Sequence, residues 1–221
     1  SLGGGNYVTI DGRAGGTGTT SALNLICYGS PAFYFVNSGS NNTVRYVNIE
    51  SSSQSNGVIS FLNSSATTGN QNNLIEYCTI GALSGSRPLN CIYSLGSAGK
   101  KNNNNTIRYC EFRDFLGCGI DLESNSTDFT ILGNSFITGF SFNATGIHIN
   151  DTTSSGFQIT DNFIGGSDVQ CGGTPAELYQ NFTGIRMAVG NSGSDVDGNV
   201  ISNIKWANSF GTDMFIGIHL I

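Results

Sequence analysis

The stretch "NNTIRYCEFRDF", from Asn104 to Phe115, repeats a pattern that has already occurred twice in the chain. "NNTVRYVNIESS" begins at Asn41 and "NNLIEYCTIGAL" begins at Asn72. The three copies share one apolar anchor position, which is occupied by Val44, Ile75 and Ile107. These anchors are 31 and 32 residues apart, and an internal repeat of about 20–50 residues is typical of a solenoid.

The pattern continues in weaker form on both sides of these copies. "FTILGNSF", "FQITDNFI" and "SDVDGNVI" follow them and "YVTIDG" precedes them, with expected anchors at Ile131, Ile159, Val196 and Val8. A second phrase recurs between the copies as "GIDLES" from 119, "GIHIND" from 146, "GIRMAV" from 184 and "GIHLI" from 217, with looser versions from 57 and 91. Both phrases alternate apolar and polar residues, which predicts short, half-buried β-strands.

Strands of a single repeat cannot bury their own apolar face. Stacked repeats about 4.8 Å apart can bury it, with parallel pairing in register. The sequence therefore predicts an all-β fold, a right-handed single-stranded parallel β-helix (a solenoid) of about seven coils. We expect residues 1–221 to form one domain and to be a segment of a longer chain, with further β-helix coils or a cap as partners at its open ends.

One position, three residues after each anchor, is expected to face the interior and is occupied by Val47, Cys78, Cys110, Asn134, Asn162 and Asn199. The asparagines are expected to form a ladder of amides between coils. Cys91 and Cys118 each stand four residues before a leucine. They are therefore predicted to occupy equivalent positions in two copies of the second phrase. In-register neighbours point their Cβ atoms in the same direction and not toward each other, so we expect buried free thiols and no disulfides at these positions. Whether Cys27 pairs with Cys171 stays open.

The composition excludes several classes of partner. Charged residues make up 11% of the chain and the net charge is −6, so the basic stripe of a nucleic-acid-binding protein is missing. No run approaches the roughly 18 apolar residues of a membrane span. We therefore expect no nucleic-acid partner and no membrane insertion. The hydroxyl and amide side chains that replace charges suit weak contacts with glycans.

The stretches "NNTIRYCEFRD", "GIDLESNSTDFTILGNSFI" and "GSDVDGNVISNI" resemble the right-handed β-helix repeats of the pectin-lyase-like superfamily. Their order is similar to that in the β-helix regions of very large bacterial secreted, adhesin-like surface proteins, which are often type IX secretion substrates. The resemblance implies a secreted protein at the extracellular cell surface, acting as a structural or adhesive module on a polysaccharide or cell-surface glycan. It implies no particular activity, because the repeats encode coil packing.

One outward residue per coil stands between the two apolar residues of the second phrase: Asp121, His148, Arg186 and His219. Glu123 lies on the same face. For β-elimination of uronates, His148 would be the base and Arg186 the charge neutraliser, with Asp121 orienting the imidazole. For glycoside hydrolysis, the Cα atoms of Asp121 and Glu123 would be about 6.6 Å apart. Asp121, Glu123, His148 and Arg186 are thus candidate catalytic residues of the alternative function, a polysaccharide lyase or glycoside hydrolase.

The same face is also explained by a polar exterior ladder without any function. Asp121 beside His148 is then a favourable cross-strand pair, worth about 0.2–1 kcal/mol. Another such ladder is expected of Arg45, Glu76 and Arg108. A third interpretation, a segment of a phage-type tailspike, would need a trimer.

We expect no metal ion and no other cofactor. His148 and His219 would stand two coils apart, about 9.6 Å, which is too far for both imidazoles to bind one ion. No aspartate cluster indicates a calcium site. The run from Lys100 to Asn105 is expected to be an exposed, solvated tip of a loop.

Overall fold

The chain folds as a parallel β-helix in a computed structural model that describes residues 1–62, 67–137, 143–207 and 211–221. Within these residues, seven complete coils each contribute one strand to each of three sheets, and an eighth strand extends the first sheet. Every pairing between named strands of the described chain is parallel. The predicted fold class, a parallel β-helix solenoid of about seven coils, is confirmed.

The strands are short, as expected for a chain that turns three times per coil. In chain order, the first part of the structure contains β1 (Leu2–Gly3), β2 (Thr9–Asp11), β3 (Leu23–Cys27), β4 (Phe33–Val36), β5 (Thr43–Arg45), β6 (Val47–Ser51), β7 (Gly57–Phe61), β8 (Leu74–Glu76), β9 (Thr79–Ala82), β10 (Asn90–Ser94), β11 (Asn102–Asn103), β12 (Thr106–Arg108) and β13 (Glu111–Arg113).

The second part of the structure continues the same pattern with β14 (Cys118–Leu122), β15 (Ser126–Thr127), β16 (Thr130–Leu132), β17 (Ser135–Ile137), β18 (Ala144–Asp151), β19 (Gln158–Thr160), β20 (Phe163–Ile164), β21 (Ala176–Leu178), β22 (Phe182–Val189), β23 (Asp195–Asp197), β24 (Val200–Ile201), β25 (Ile204–Trp206) and β26 (Phe215–Leu220). Two 3₁₀ turns accompany the strands, at Ala14–Gly16 and Val169–Cys171.

The first sheet is ordered β1-β4-β7-β10-β14-β18-β22-β26. The second sheet is ordered β2-β5-β8-β12-β16-β19-β23, and the third is ordered β3-β6-β9-β13-β17-β20-β24. Two side pairs, β11-β15 and β21-β25, lie outside these sheets. Consecutive strands of each sheet thus come from successive coils, which places every repeated sequence position in a column along the rod.

The predicted anchors form such a column in the second sheet. Val44, Ile75, Ile107, Ile131, Ile159 and Val196 pair in sequence. The expected anchor of the first coil was wrong by two residues, because Val44 pairs with Ile10 and not with Val8. Val8 precedes β2, and its backbone N–H donates to the side-chain oxygen of Asn42.

The interior is filled by columns of aliphatic and aromatic side chains. Phe35 stacks on Phe61 with ring centroids 4.5 Å apart, and Phe112 stacks on Phe136 at 4.8 Å. The isoleucine column of the first sheet is fully buried and consists of Ile59, Ile92, Ile120, Ile147 and Ile185. Removal of each such side chain from water contributes about 1.5–3 kcal/mol to the stability of the fold. Side-chain packing between coils therefore stabilises the β-helix in addition to backbone pairing.

The predicted amide ladder is present. Asn134 Nδ2 donates to Asn162 Oδ1 at 3.0 Å, and Asn162 Nδ2 donates to Asn199 Oδ1 at 2.9 Å. Two further ladders were not predicted, and they consist of Asn42, Asn73 and Asn105 and of Asn70 and Asn102.

These further ladders correct the prediction of an exposed tip from Lys100 to Asn105. Asn102 is 1% exposed and Asn105 is fully buried. Their amide groups satisfy backbone and side-chain partners of neighbouring coils, which is what a polar group needs when it is removed from water.

All six cysteines lie within the described residues and are free. Cys78 and Cys110 are buried at the predicted interior position, which confirms the expectation of buried thiols there. Cys27 and Cys171 form no disulfide, which answers the question that the sequence left open.

Candidate functional site

The outer face of the first sheet carries every residue that the sequence proposed for catalysis. Asp121 pairs with His148, His148 with Arg186, and Arg186 with His219 in successive strands. Tyr93 occupies the preceding place in this column. The predicted alignment of the second phrase is therefore confirmed for these four coils. We call Cys118, Asp121, Glu123, His148 and Arg186 the histidine face.

Asp121 and His148 are in direct contact. His148 Nδ1 lies 2.9 Å from Asp121 Oδ1, and their side chains are only 17% and 13% exposed. The buried Asn90 donates from Nδ2 to Asp121 Oδ2 at 3.2 Å, so both carboxylate oxygens have a partner. In this pair Asp121 can orient the imidazole of His148, as proposed from the sequence.

Glu123 and Arg186 stand apart from that pair. Glu123 Oε2 accepts a hydrogen bond from Asn150 Nδ2 at 3.0 Å. Burial raises the pKa of Glu123, and the negative charge of Asp121 raises it further. Arg186 is exposed, one coil beyond His148. The structure thus joins two of the four candidates, and a catalytic role for Asp121, Glu123, His148 and Arg186 stays a prediction.

Cys118 belongs to the same face, which corrects the prediction that it matches Cys91. Asn90 is the residue that pairs with Cys118, so Cys91 stands level with Gly119. Gly119 and Ile120 both face inward, since a Cβ at Gly119 would run into the core residue Phe136. This break in the alternation puts Cys118 on the outside, three residues before Asp121.

Cys118 completes a cluster that the spacing of the two histidines did not suggest. One ligating atom from each of Cys118, Asp121 and His148 lies within 4.8 Å of the other two. Burial raises the pKa of the Cys118 thiol well above its usual range, and the negative charge of Asp121 acts in the same direction.

A second surface feature lies at the turn between the second and third sheets. Tyr46, Tyr77 and Tyr109, each two residues after an anchor, stack with ring centroids 4.8 and 5.3 Å apart. We call these three residues the tyrosine ladder. Tyr77 and Tyr109 are 41% and 44% exposed, so the edges of these rings face solvent.

Each tyrosine of the ladder has a left-handed backbone, with φ between 52° and 54°. That conformation costs a residue with a Cβ about 1–2 kcal/mol. A stacked aromatic pair contributes about 0.5–1.5 kcal/mol, so stacking only offsets the strain. Stability alone therefore does not explain why tyrosine occupies a turn that glycine forms without strain.

Charged side chains frame the tyrosine ladder. Arg13 lies over the ring of Tyr46 at 4.4 Å, and Arg108 lies 5.8 Å from the ring centre of Tyr109. The predicted ladder of alternating charges is present, with Glu76 2.7 Å from Arg108 and 4.0 Å from Arg45. Asp11 extends it, 2.9 Å from Arg45.

A shallow depression of about 230 Å³ adjoins the rings and is lined by Thr19, Tyr46, Tyr77, Cys78, Thr79, Tyr109 and Glu111. A second depression of about 270 Å³ shares Thr79 with it and is lined also by Asn48, Glu50, Gly81, Ala82, Arg113 and Asp114. We call these two depressions together the polar trough. Hydroxyl, amide, carboxylate and guanidinium groups at its walls can exchange hydrogen bonds with a polar ligand.

The tyrosine ladder was missed in the sequence although the signal was present. "VRY", "IEY" and "IRY" place tyrosine at the same position in the three strongest copies of the repeat. The column of these copies was predicted, but the left-handed turn that exposes the rings was not.

No protein-family model matches the chain, and the comparison with curated proteins gives no match either. Among solved structures, the chain is similar to the surface protein and adhesin PfbA of Streptococcus pneumoniae, with 13% identity and a TM-score of 0.49. The similarity covers 89% of this chain and 64% of that one, so this chain spans less than two thirds of that structure. A similarity at this level assigns no function here.

Among the residues that the structure describes, no helix has the length and apolar character that crossing a membrane requires.

Proposed function

We propose that this chain is a secreted, cell-surface β-helical module with a structural and adhesive role, and that the tyrosine ladder is its contact surface for a glycan. The observation that carries the proposal is the stack of three tyrosines in a strained turn, half open to solvent, beside a polar trough. Backbone strain that packing does not explain is found preferentially at functional sites.

The chemistry of the surface suits a sugar chain. A sugar ring has an apolar face of C–H groups and a rim of hydroxyls, and an aromatic ring combines an apolar face with a polar tip in a similar way. Burial, together with the neighbouring Tyr46 and Glu76, raises the pKa of Tyr77. Like any tyrosine hydroxyl, that of Tyr77 is protonated at neutral pH and can donate a hydrogen bond.

The fold holds the surface rigid before any ligand arrives. Seven coils at about 4.8 Å make a rod roughly 34 Å long, and buried amide ladders tie neighbouring coils together. A preorganised surface loses little conformational entropy on binding. Adhesion through many weak, repeated contacts is what such a rod supports best.

The test is binding to a panel of acidic and neutral polysaccharides, with Tyr77→Ala/Tyr109→Ala compared with the unaltered chain. We expect the double variant to weaken binding at least about tenfold, because stacking on aromatic rings contributes on the order of 1 kcal/mol per ring. The matched control is Tyr28→Ala, since Tyr28 is 80% exposed and lies outside the ladder. Binding that is unchanged in the double variant, or equally weakened in the control, contradicts the proposal.

A second candidate function is cleavage of a polysaccharide at the histidine face, by elimination or hydrolysis. The contact between Asp121 and His148 favours it, because an oriented imidazole is the base that elimination needs. Turnover of a uronate-containing polysaccharide that is lost in His148→Ala/Arg186→Ala would support this function. Absence of turnover on every polysaccharide of the panel would contradict this second function.

A further inference from the structure

We propose that Cys118, Asp121 and His148 form a binding site for a divalent transition metal ion, with zinc as the best match. The three residues offer a sulfur, an oxygen and a nitrogen donor within 4.8 Å of one another on the histidine face. This site lies on the first sheet and does not depend on the glycan surface proposed for the tyrosine ladder.

The distances are compatible with one ion. In a tetrahedral zinc site the ligand atoms are about 3.5 Å apart, since the bonds are about 2.0–2.3 Å long. The donor atoms all lie within 4.8 Å of one another, so no pair has to approach by more than roughly 1.3 Å. The proposal requires side-chain rotations that supply this movement, and the ion would then replace the contact between His148 Nδ1 and Asp121 Oδ1.

The backbone directs the three donors to the same point. Gly119 and Ile120 face inward as a pair, so Cys118 and Asp121 project outward from one strand although they are three residues apart. His148 lies directly beside Asp121 in the next coil. A Cβ at position 119 would run into Phe136, so the glycine is required for this arrangement.

A buried asparagine supports the cluster from behind. Asn90 is 3% exposed, and its Nδ2 donates to Asp121 Oδ2 and to the carbonyl of Asn56. Its Oδ1 accepts from the backbone N–H of Cys118 at 3.0 Å. One side chain thus holds both ligand-bearing residues, which is the role of the outer hydrogen bonds in metal sites.

The donor set selects the class of metal. A thiolate and an imidazole favour zinc and its neighbours over magnesium and calcium, which prefer oxygen ligands. On binding, the proton of Cys118 Sγ leaves to solvent, and the thiolate and the Asp121 carboxylate together offset the two positive charges of the ion. Three protein ligands leave a fourth position open for water or another ligand.

The experiment is a titration of the reduced Cys27→Ser/Cys171→Ser protein with Zn²⁺ in a calorimeter and with Co²⁺ in an absorption cell. Removing Cys27 and Cys171 excludes the partly exposed thiols away from the site. We expect one ion per chain and a charge-transfer band from thiolate to cobalt. Cys118→Ser should abolish the band, and it should weaken zinc binding at least about tenfold, as should His148→Ala.

The matched control is His219→Ala, which removes the other histidine of the same column and should leave binding unchanged. Asn90→Ala should weaken binding about 10–100-fold although it is not a ligand. A thermal melt followed by circular dichroism shows whether each variant folds. If Cys118→Ser does not fold, the loss of zinc binding in His148→Ala is the test of the proposal. Absence of zinc binding, absence of the cobalt band, or an equal loss in His219→Ala overturns the proposal.

Discussion

The turn that follows the anchor carries different side chains in coils two to four and in coils five to seven. Two residues after the anchor, the earlier coils have Tyr46, Tyr77 and Tyr109, and the later coils have Gly133, Asp161 and Gly198. All six residues have a positive φ. The repeat thus determines the backbone of the turn, while the side chain on it is free to serve another purpose.

The neighbouring positions change at the same boundary. The interior position is Val or Cys in coils two to four and Asn in coils five to seven. The outward position after the anchor carries Arg45, Glu76 and Arg108 in the earlier coils and Leu132, Thr160 and Asp197 in the later ones. At this interior position the earlier half is therefore apolar, below a charged and aromatic surface, whereas the later half carries amides there.

The largest effect should come from breaking the interior of the later half. Asn162→Ala removes the hydrogen bonds that satisfy the backbone N–H of Asn134 and the carbonyl of Ile131. Each buried group left without a partner costs about 1–3 kcal/mol, so we expect a loss of about 3 kcal/mol or more in the free energy of unfolding. Urea denaturation measures it.

Cys78→Ala is the control in the earlier half. It should cost only about 1 kcal/mol, as for an ordinary small truncation, because Cys78 Sγ makes only long contacts, 3.7 Å to the carbonyl oxygen of Val44 and 3.3 Å to that of Glu76, and a thiol is a weak donor. Equal losses in the two variants would contradict the difference between the two interiors.

A smaller effect is expected at the turn itself. Gly133→Ala should cost about 1–2 kcal/mol, because it places a Cβ on a left-handed backbone. That Cβ would also lie 2.6 Å from the Tyr109 ring, which must shift. The reciprocal change, Tyr77→Gly, should be nearly neutral, because relief of the strain offsets the lost stacking. A strongly destabilised Tyr77→Gly would show that the tyrosine ladder serves stability after all.

The smallest effect should depend on pH and concern the ladder of charges that begins at Asp11 in the first coil and continues through coils two to four. The hydrogen bonds from Arg13 above all, and then from Arg45, hold the pKa of Asp11 well below its usual value of 3.8. A carboxylate with a lowered pKa stabilises the fold above its unfolded pKa and loses that contribution as the pH falls.

Asp11→Asn should therefore lower the melting temperature at pH 7, and the difference from the unaltered chain should shrink progressively below about pH 4. The matched control is Asp197→Asn, at the equivalent outward position of the seventh coil. A difference that stays constant from pH 7 to pH 2, or that Asp197→Asn reproduces, would argue against a special role for the ladder of charges around Asp11.

Much of the architecture could be predicted because each coil repeats a few local rules. The column from Val44 to Val196 followed from spacing alone, and so did the interior amides. The contact between Asp121 and His148 followed from the alignment of two phrases. In-register stacking turns each aligned position into a spatial neighbour, so these predictions needed no knowledge of the loops.

The errors have separate local causes. Cys118 was matched with Cys91 because each stands four residues before a leucine, whereas Cys118 pairs with Asn90 and both Gly119 and Ile120 face inward. The anchor of the first coil was placed at Val8 because its copy is weak and two apolar residues compete. Asn102 and Asn105 looked like a solvated tip, yet stacked amides of neighbouring coils bury them.

The repeat, the stacked strands and the order of residues along each column can be derived from the amino-acid sequence, because side-chain periodicity is a local property of the chain. The side chains that come into contact could be identified only from the folded molecule. A turn with positive φ stacks three tyrosines on one edge, and a pair of inward residues brings a thiol to a carboxylate and an imidazole. These arrangements depend on backbone torsions that the neighbouring coils impose, and no single repeat contains that information.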